Sequence, residues 1–432
     1  MRLDDISLYN AECVLLVVLL AAYAGYLLLH RLRAARPSLN IATPLLVGFL
    51  VRVLAAVGVT LTPLAQSLRG GDELAFLSQS HALAATSVTS AAWTDALTGS
   101  LYKWVFALQI RAFDAPELAL RITQVTITMA GLMLMAAAVY DLAGRRAARI
   151  AAWVLALEPA SIFFSSLLHK EPLMYLAEGL VVFGGVQLWR RGRPTSLLPM
   201  AAGCLIAVAT RRYAGWFLIA AAAAIALHSA ARGSGRNWAS SGVLILAVAG
   251  LAIATTPTVL QATTPAQLKA NLQSSQDANA SDASNLKLER VDFSSRGAVI
   301  GNLPQRIADI VTRPYPWQVA NTSQQLGVLG TLVALLALGL GTAAAIRRRG
   351  HIFRGAGPFL HVAFAMLIAY ALSAGNAGTA YRYRTHVVVL ALCAVVVLRS
   401  TSEKQRAPES GALPLGSPAA PSPIALTSAA RA

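Results

Sequence analysis

The chain has 432 residues, of which 56% are hydrophobic and 13% charged, with a mean hydropathy of +0.58. A soluble globular protein carries about 25% charged residues, so a soluble enzyme, a disordered chain, a coiled coil and a disulfide scaffold are excluded and a polytopic membrane protein remains. The 36 Lys+Arg outnumber the 19 Asp+Glu to give +17, an excess that reads first as a topology signal and not as a nucleic-acid partner.

A helix needs about 20 apolar residues to cross roughly 30 Å of hydrocarbon. On that rule the chain predicts an all-α transmembrane bundle of about eleven spans, at 11–29, 41–62, 119–141, 150–168, 172–189, 197–210, 214–228, 240–256, 326–346, 358–374 and 385–399. The first run follows Asp4, Asp5 and Glu12 and precedes basic residues, the reverse of a cleaved signal peptide. Residues 1–400 are read as one membrane domain, and the Pro/Ala/Ser-rich stretch 401–432 as a disordered cytoplasmic tail. The three cysteines, Cys13, Cys204 and Cys393, lie in apolar runs, and no structural disulfide is expected.

Basic clusters follow every second span: Arg31, Arg33 and Arg36; Arg145, Arg146 and Arg149; Arg190, Arg191 and Arg193; Arg232 and Arg236; Arg347, Arg348, Arg349 and Arg354. Placing them all in the cytoplasm puts the N-terminus outside and the C-terminus inside, as expected for a multi-pass plasma-membrane protein. Two long outer loops result, at about 63–118 and 257–325, the second Ser/Asn/Gln-rich and partly mobile over 271–286. No internal repeat is evident, which weighs against an inverted-repeat transporter.

The charges that oppose this topology are the informative ones. His169, Lys170 and Glu171, then Arg211, Arg212 and Tyr213, then Tyr381, Arg382, Tyr383 and Arg384 fall in short outer loops. The apolar run from Leu197 to Ala209 would form only about 20 Å of helix, and that from Val387 to Leu398 about 18 Å. Both arginine clusters are thus predicted to be drawn into the outer membrane edge, where charges are costly and functional. Arginine there matches a lipid phosphate as a bidentate donor.

The acid candidates are Asp72 and Glu73 in RGGDELAFLSQSHAL, with Arg69 nearby. Gly70 and Gly71 would permit a tight turn that presents the carboxylates. Residues 74–85 read as an amphipathic interfacial helix that Asp72 would cap. Asp95 reads as a second helix cap. Glu158 and Glu178 fall inside spans, Pro159 should kink the first of these, and either could pair with Arg52. His81, His361 and His386 show no metal-binding spacing, and no nucleotide fingerprint is present. A divalent metal stays open.

The order of these features resembles the GT-C superfamily of membrane glycosyltransferases, in its bacterial branch related to protein mannosyltransferases and aminoarabinose transferases. The likeness is carried by GGDE, LYKWVFALQIRAFDAPELALRITQ, AGRRAARIAAWVLALEPASIFFSSLLHKEPLMYL and GTAYRYRTHVVVLAL, with TRPYPWQ at 312–318 as a weaker sign. It spans most of residues 60–400, and its specificity lies in order and spacing. The resemblance implies transfer of a sugar from a polyprenyl-phosphate donor on the extracytoplasmic face to a glycan, lipid or protein acceptor. It places the catalytic aspartate at Asp72, with Glu73 beside it. It also sets phosphate-binding groups at 169–171 and 382–384, while Arg211 and Arg212 come from the depth argument alone. The second outer loop, at about 70 residues, is too small for a large folded domain, which puts a bulky protein acceptor in doubt. The residues leave two alternatives: a polymerase or ligase of lipid-linked glycans relying on His169, and a transporter without chemistry relying on Glu158, Glu178 and Arg52.

Overall fold

The computed structural model describes residues 8–62, 64–232, 294–318, 322–347 and 352–406, with isolated positions between 270 and 292. Its regular elements are helices. They are α1 (Leu8–Ala35), α2 (Ala42–Leu61), α3 (Leu64–Ala85), α4 (Ala91–Gly99), α5 (Leu101–Phe113), α6 (Glu117–Ala143), α7 (Arg145–Leu157), α8 (Pro159–Ser165), α9 (Glu171–Arg191), α10 (Leu197–Thr210), α11 (Arg212–Arg232), α12 (Arg296–Thr312), α13 (Thr322–Arg347), α14 (Ile352–Ser373) and α15 (Ala377–Arg406). Among the described residues eight helices are long and apolar enough to cross a membrane, and nine if the bent pair α7–α8 counts as one span. The protein is a helical membrane bundle. The predicted span 240–256, nearly all of the stretch 271–286 expected to be mobile, and the tail beyond 406 lie outside the described residues.

Pro159 breaks α7 from α8 with a bend of 58°, as its missing N–H dictates. The apolar run at 197–210 forms a helix of 14 residues, short for a span. The second predicted short span is different. α15 starts at Ala377 and has 30 residues, so Tyr381–Arg384 sit in the second turn of a helix and not in a loop. That helix also continues past the expected boundary at 400. Gly70 and Gly71 form no turn either: α3 runs unbroken from Leu64 to Ala85. Asp72 therefore caps no helix and projects from the middle of one. Asp95 likewise lies inside α4, whose N-cap is Ser90.

Burial separates a central set of helices from a rim. The apolar windows of α6 and α15 are 78% buried and that of α9 is 72%, against 11% for α1. α6 and α9 meet backbone to backbone: a Cβ added at Gly131 would strike the Tyr175 carbonyl, and one at Gly179 would strike the Gly131 carbonyl. Small residues of this kind let membrane helices approach closely where lipid offers no hydrophobic drive between them.

Arginines, all but the exposed Arg111 buried, close helix ends. The last carbonyls of a helix have no partner of their own, and hydrocarbon offers none. Arg52 donates to the Leu155 and Ala156 carbonyls at 3.0 and 2.7 Å, ending α7, and to Ser161 Oγ at 2.7 Å. Arg121 reaches the Ser166 carbonyl after α8 at 2.7 Å. Arg111 reaches Ala84 and Thr86 at the end of α3, and Arg306 reaches Ala371 and Ala374 at the end of α14. Arg384 closes α12 through Val311 and Arg313 at 3.0 and 2.8 Å. Arg52 is thus hydrogen-bonded to helix-end carbonyls in place of the expected carboxylate. Glu158 instead accepts from the Ala160 and Ser161 amides at the start of α8, and Glu178 meets His386.

Arg52→Ala should leave two carbonyls of α7 bare beside the bend. Thermal unfolding in detergent should show a loss of about 2–3 kcal/mol, and an unchanged midpoint would contradict the capping role.

Candidate functional site

Four separate parts of the chain meet at one end of the bundle. α3 supplies Asp72, the turn 166–170 and the first residue of α9 supply His169, Lys170 and Glu171, the break between α10 and α11 supplies Arg211, and α15 supplies Arg382. Arg382 Nη1 donates to Asp72 Oδ2 at 2.9 Å. Its Nε lies 3.2 Å from Glu171 Oε1. Arg211 Nη2 donates to the same Glu171 oxygen at 2.9 Å. One buried carboxylate therefore spaces two guanidinium groups. Asp72 is 54% exposed while Glu171 is fully buried, so Asp72 is the carboxylate that a ligand can reach.

The turn that carries Lys170 is clamped from two sides. Gln124 Nε2 of α6 donates to the His169 carbonyl at 2.8 Å, and Arg121 holds Ser166. Glu73 pairs with Arg121 in a contact that excludes solvent from both side chains, and it accepts from the Leu168 amide at 3.3 Å. Glu73, expected beside Asp72 as a catalytic group, faces inward and builds the turn.

Lys170 has no carboxylate within ion-pair distance among the described residues. Its ammonium lies 5.2 Å from the Phe76 ring centre and 5.0 Å from that of Tyr102, a cation–π box. Burial, with Arg211 and Arg382 nearby, brings its pKa down to about 8. His169 is 4% exposed. Burial and then Arg382 bring its pKa down to about 4, so it is a neutral imidazole at pH 7 and adds no cation. Burial alone would raise the Asp72 pKa, but the Arg382 guanidinium outweighs it and holds the carboxyl below its usual range. The group is ionised at neutral pH.

The remaining expected phosphate ligands lie elsewhere. Arg384 is turned to the carbonyls of α12 and, through Nη2, to Gly327 at 3.2 Å. Two residues along a helix point to nearly opposite faces, so Arg382 and Arg384 cannot share a ligand. Tyr381 is a packing residue. Its ring lies 5.2 Å from that of Phe164 and fills the space a Cβ at Gly330 would need. Arg212 is exposed on α11, with Nη2 3.4 Å from where a Cβ on Gly99 would sit. The side chain of Arg69 lies outside the described residues. Sequence reasoning did not single out Phe76, Tyr102, Arg121 or Gln124. It named Tyr383 within its loop cluster but gave it no role in the site; its ring lies 4.4 Å from the Arg211 guanidinium and its hydroxyl accepts from Tyr213 at 3.0 Å. Their signal is an aromatic or polar residue one or two helical turns from a charged one, a pattern too common to stand out.

A divalent metal does not fit this donor set. Asp72 and Glu171 are each in contact with a guanidinium, and Glu73 is paired with Arg121. Among the described residues no group of three His, Cys, Asp or Glu side chains is placed to hold an ion. The arrangement instead sets three cations, Arg211, Arg382 and Lys170, against two carboxylates, and the surplus positive charge favours an anion.

Fold and site define a helical membrane protein with a cationic cluster at one end of its bundle. Compared with known proteins, the chain matches no family, no curated sequence and no solved structure.

Glu73→Ala should remove one partner of a buried ion pair and uncover the Leu168 amide, lowering stability by about 3 kcal/mol. Glu73→Gln, which keeps an acceptor for that amide, should cost clearly less in the same thermal unfolding measurement.

Proposed function

We propose that the protein is an extracytoplasmic membrane glycosyltransferase, resembling the GT-C enzymes, that takes a sugar from a polyprenyl-phosphate donor. The observation that carries this reading is the convergence of Asp72, Lys170, Arg211 and Arg382 from distant parts of the chain onto one bundle end with a net positive charge. The opposite end supports the orientation. Arg36 after α1 and Arg191 at the end of α9 both lie within ion-pair distance of Asp141 near the end of α6, so that end carries the basic clusters expected in the cytoplasm. On this reading about eleven spans cross the plasma membrane, with the N-terminus outside and α3–α5 lying at the outer interface.

The chemistry follows from the groups present. The donor phosphate binds Arg382, Arg211 and Lys170 and competes with Asp72 for the Arg382 guanidinium. As Arg382 turns to the phosphate, Asp72 loses the charge that depresses its basicity. It then accepts the proton of the acceptor hydroxyl. The acceptor oxygen bonds to the anomeric carbon as the bond to the phosphate oxygen breaks on the opposite side, so the configuration inverts. The electron pair leaves on the phosphate, where preorganised cations stabilise it. The buried Glu178–His386 pair favours a second reading, a transporter without chemistry. Asp72→Asn separates the two: a transferase loses turnover and keeps donor binding, whereas a transporter keeps its flux.

Undecaprenyl phosphate at 100 times its Kd should stabilise the purified protein by about 2.7 kcal/mol. Arg382→Ala should abolish the shift, and no shift in the wild type would refute the donor class. Affinity should also depend on pH. The Lys170 pKa lies below its ordinary value, at about 8, so its positive charge is present below pH 8 and lost as pH rises through that value. Between pH 7 and 9 the phosphate affinity should therefore fall by about tenfold, the equivalent of about 1.4 kcal/mol. Lys170→Arg should flatten the profile.

A further inference from the structure

The bundle core holds a second polar cluster that the phosphate site does not use. Glu178 of α9 and His386 of α15 are both fully buried, with His386 Nδ1 3.2 Å from Glu178 Oε2. The Tyr175 ring centre lies 4.3 Å from that of His386, and its hydroxyl donates to Thr385 Oγ1 at 2.7 Å. Tyr370 of α14 lies on another side, 5.8 Å away between ring centres. The cluster is under-satisfied: Glu178 Oε1, His386 Nε2 and the Tyr370 hydroxyl are buried without a hydrogen-bond partner among the described residues. Two apolar side chains would join these helices without that cost. Ionisable groups kept at such depth mark function.

Their position indicates which function. Glu171 and Glu178 lie two turns apart on one face of α9, and Arg382 and His386 lie one turn apart on one face of α15. Both helices begin at the cationic cluster and run away from it. The same two helices are therefore joined by two rungs, Arg382–Glu171 above and His386–Glu178 below. A rotation or slide of α15 that broke the lower rung would carry Arg382 away from Glu171.

We propose that Glu178 and His386 are positioning residues: their link fixes the rotation and height of α15 against α9 and so holds Arg382 over Glu171 in the geometry that receives a lipid phosphate. This rests on the proposed phosphate site, but half of its test does not.

In the full chain in detergent, the Glu178→Leu/His386→Leu variant should melt at or above the wild-type midpoint. Arg382→Gln should lower the wild-type midpoint, and its shift should shrink to half or less in the Leu/Leu background, because contacting sites couple and independent ones add. Equal shifts in the two backgrounds would overturn the proposal without any ligand. Should the Leu pair fail to fold, Glu178→Gln, which keeps the volume and weakens the link, carries the same measurement. In the second half undecaprenyl phosphate is the probe. Leu/Leu should lose about tenfold or more in affinity, a change of about 1.4 kcal/mol, and the reversed pair Glu178→His/His386→Glu should restore most of it. Unchanged affinity in Leu/Leu would also overturn the proposal. A wild type that binds no polyprenyl phosphate would instead remove the donor reading and leave the coupling experiment to decide the role of the rung.

Discussion

Every helix that stops inside a membrane leaves carbonyls that neither water nor lipid can satisfy. This bundle contains several such ends, because α7, α8, α12 and α14 stop within or at the edge of the packed core. Long arginine side chains from neighbouring helices reach them. Arg52, Arg121, Arg306 and Arg384 are all fully buried or nearly so, and each brings positive charge to the negative end of a helix dipole. The breaks, in turn, make the site possible. The bend at Pro159 and the turn 166–170 bring Lys170 and Glu171 to face α3. The stop after Thr210 leaves Arg211 free to turn inward.

The same constraint sorts the arginines. Those whose donors meet backbone carbonyls are structural, however suggestive their place in the sequence. Those that meet a shared carboxylate keep a charge that an incoming anion can redirect. Arg382 and Arg211 are of the second kind. Arg384, two residues from Arg382 on the same helix, is of the first. Lys170 is held by aromatic faces and not by a counter-ion, which leaves its charge available and its proton loosely held.

The bundle was legible because apolar runs and basic loop clusters are long, redundant signals. The kink at Pro159 was legible for the same reason that it is local. The site was legible only in outline. Lys170, Arg211 and Arg382 stand out as charges in the wrong loops and Asp72 as an acid in the first outer loop, and the structure brings them together. What the sequence concealed is direction. Glu73 adjoins Asp72, yet a step of one residue turns it inward to Arg121. A GG pair suggested a turn, but packing of α3 against α5 and α2 kept it helical. The start of α15 was misplaced because Tyr381–Arg384 read as polar, although partners in α3, α9, α11 and α12 make a helix through them possible. Partner choice for a buried arginine depends on which helix end arrives beside it, and no local pattern encodes that.

The contact between Gly131 and Gly179 bears on more than packing. With no side chains between them, α6 and α9 are joined at a point near the lower rung, eight residues below Glu171 on its own helix. α9 is in effect a lever with its fulcrum there. Any bulk added at either glycine would tilt the whole outer arm and displace Glu171, and with it the spacing of the two guanidinium groups. The accuracy of a charged site at the membrane edge is thus set by two hydrogen atoms well below it.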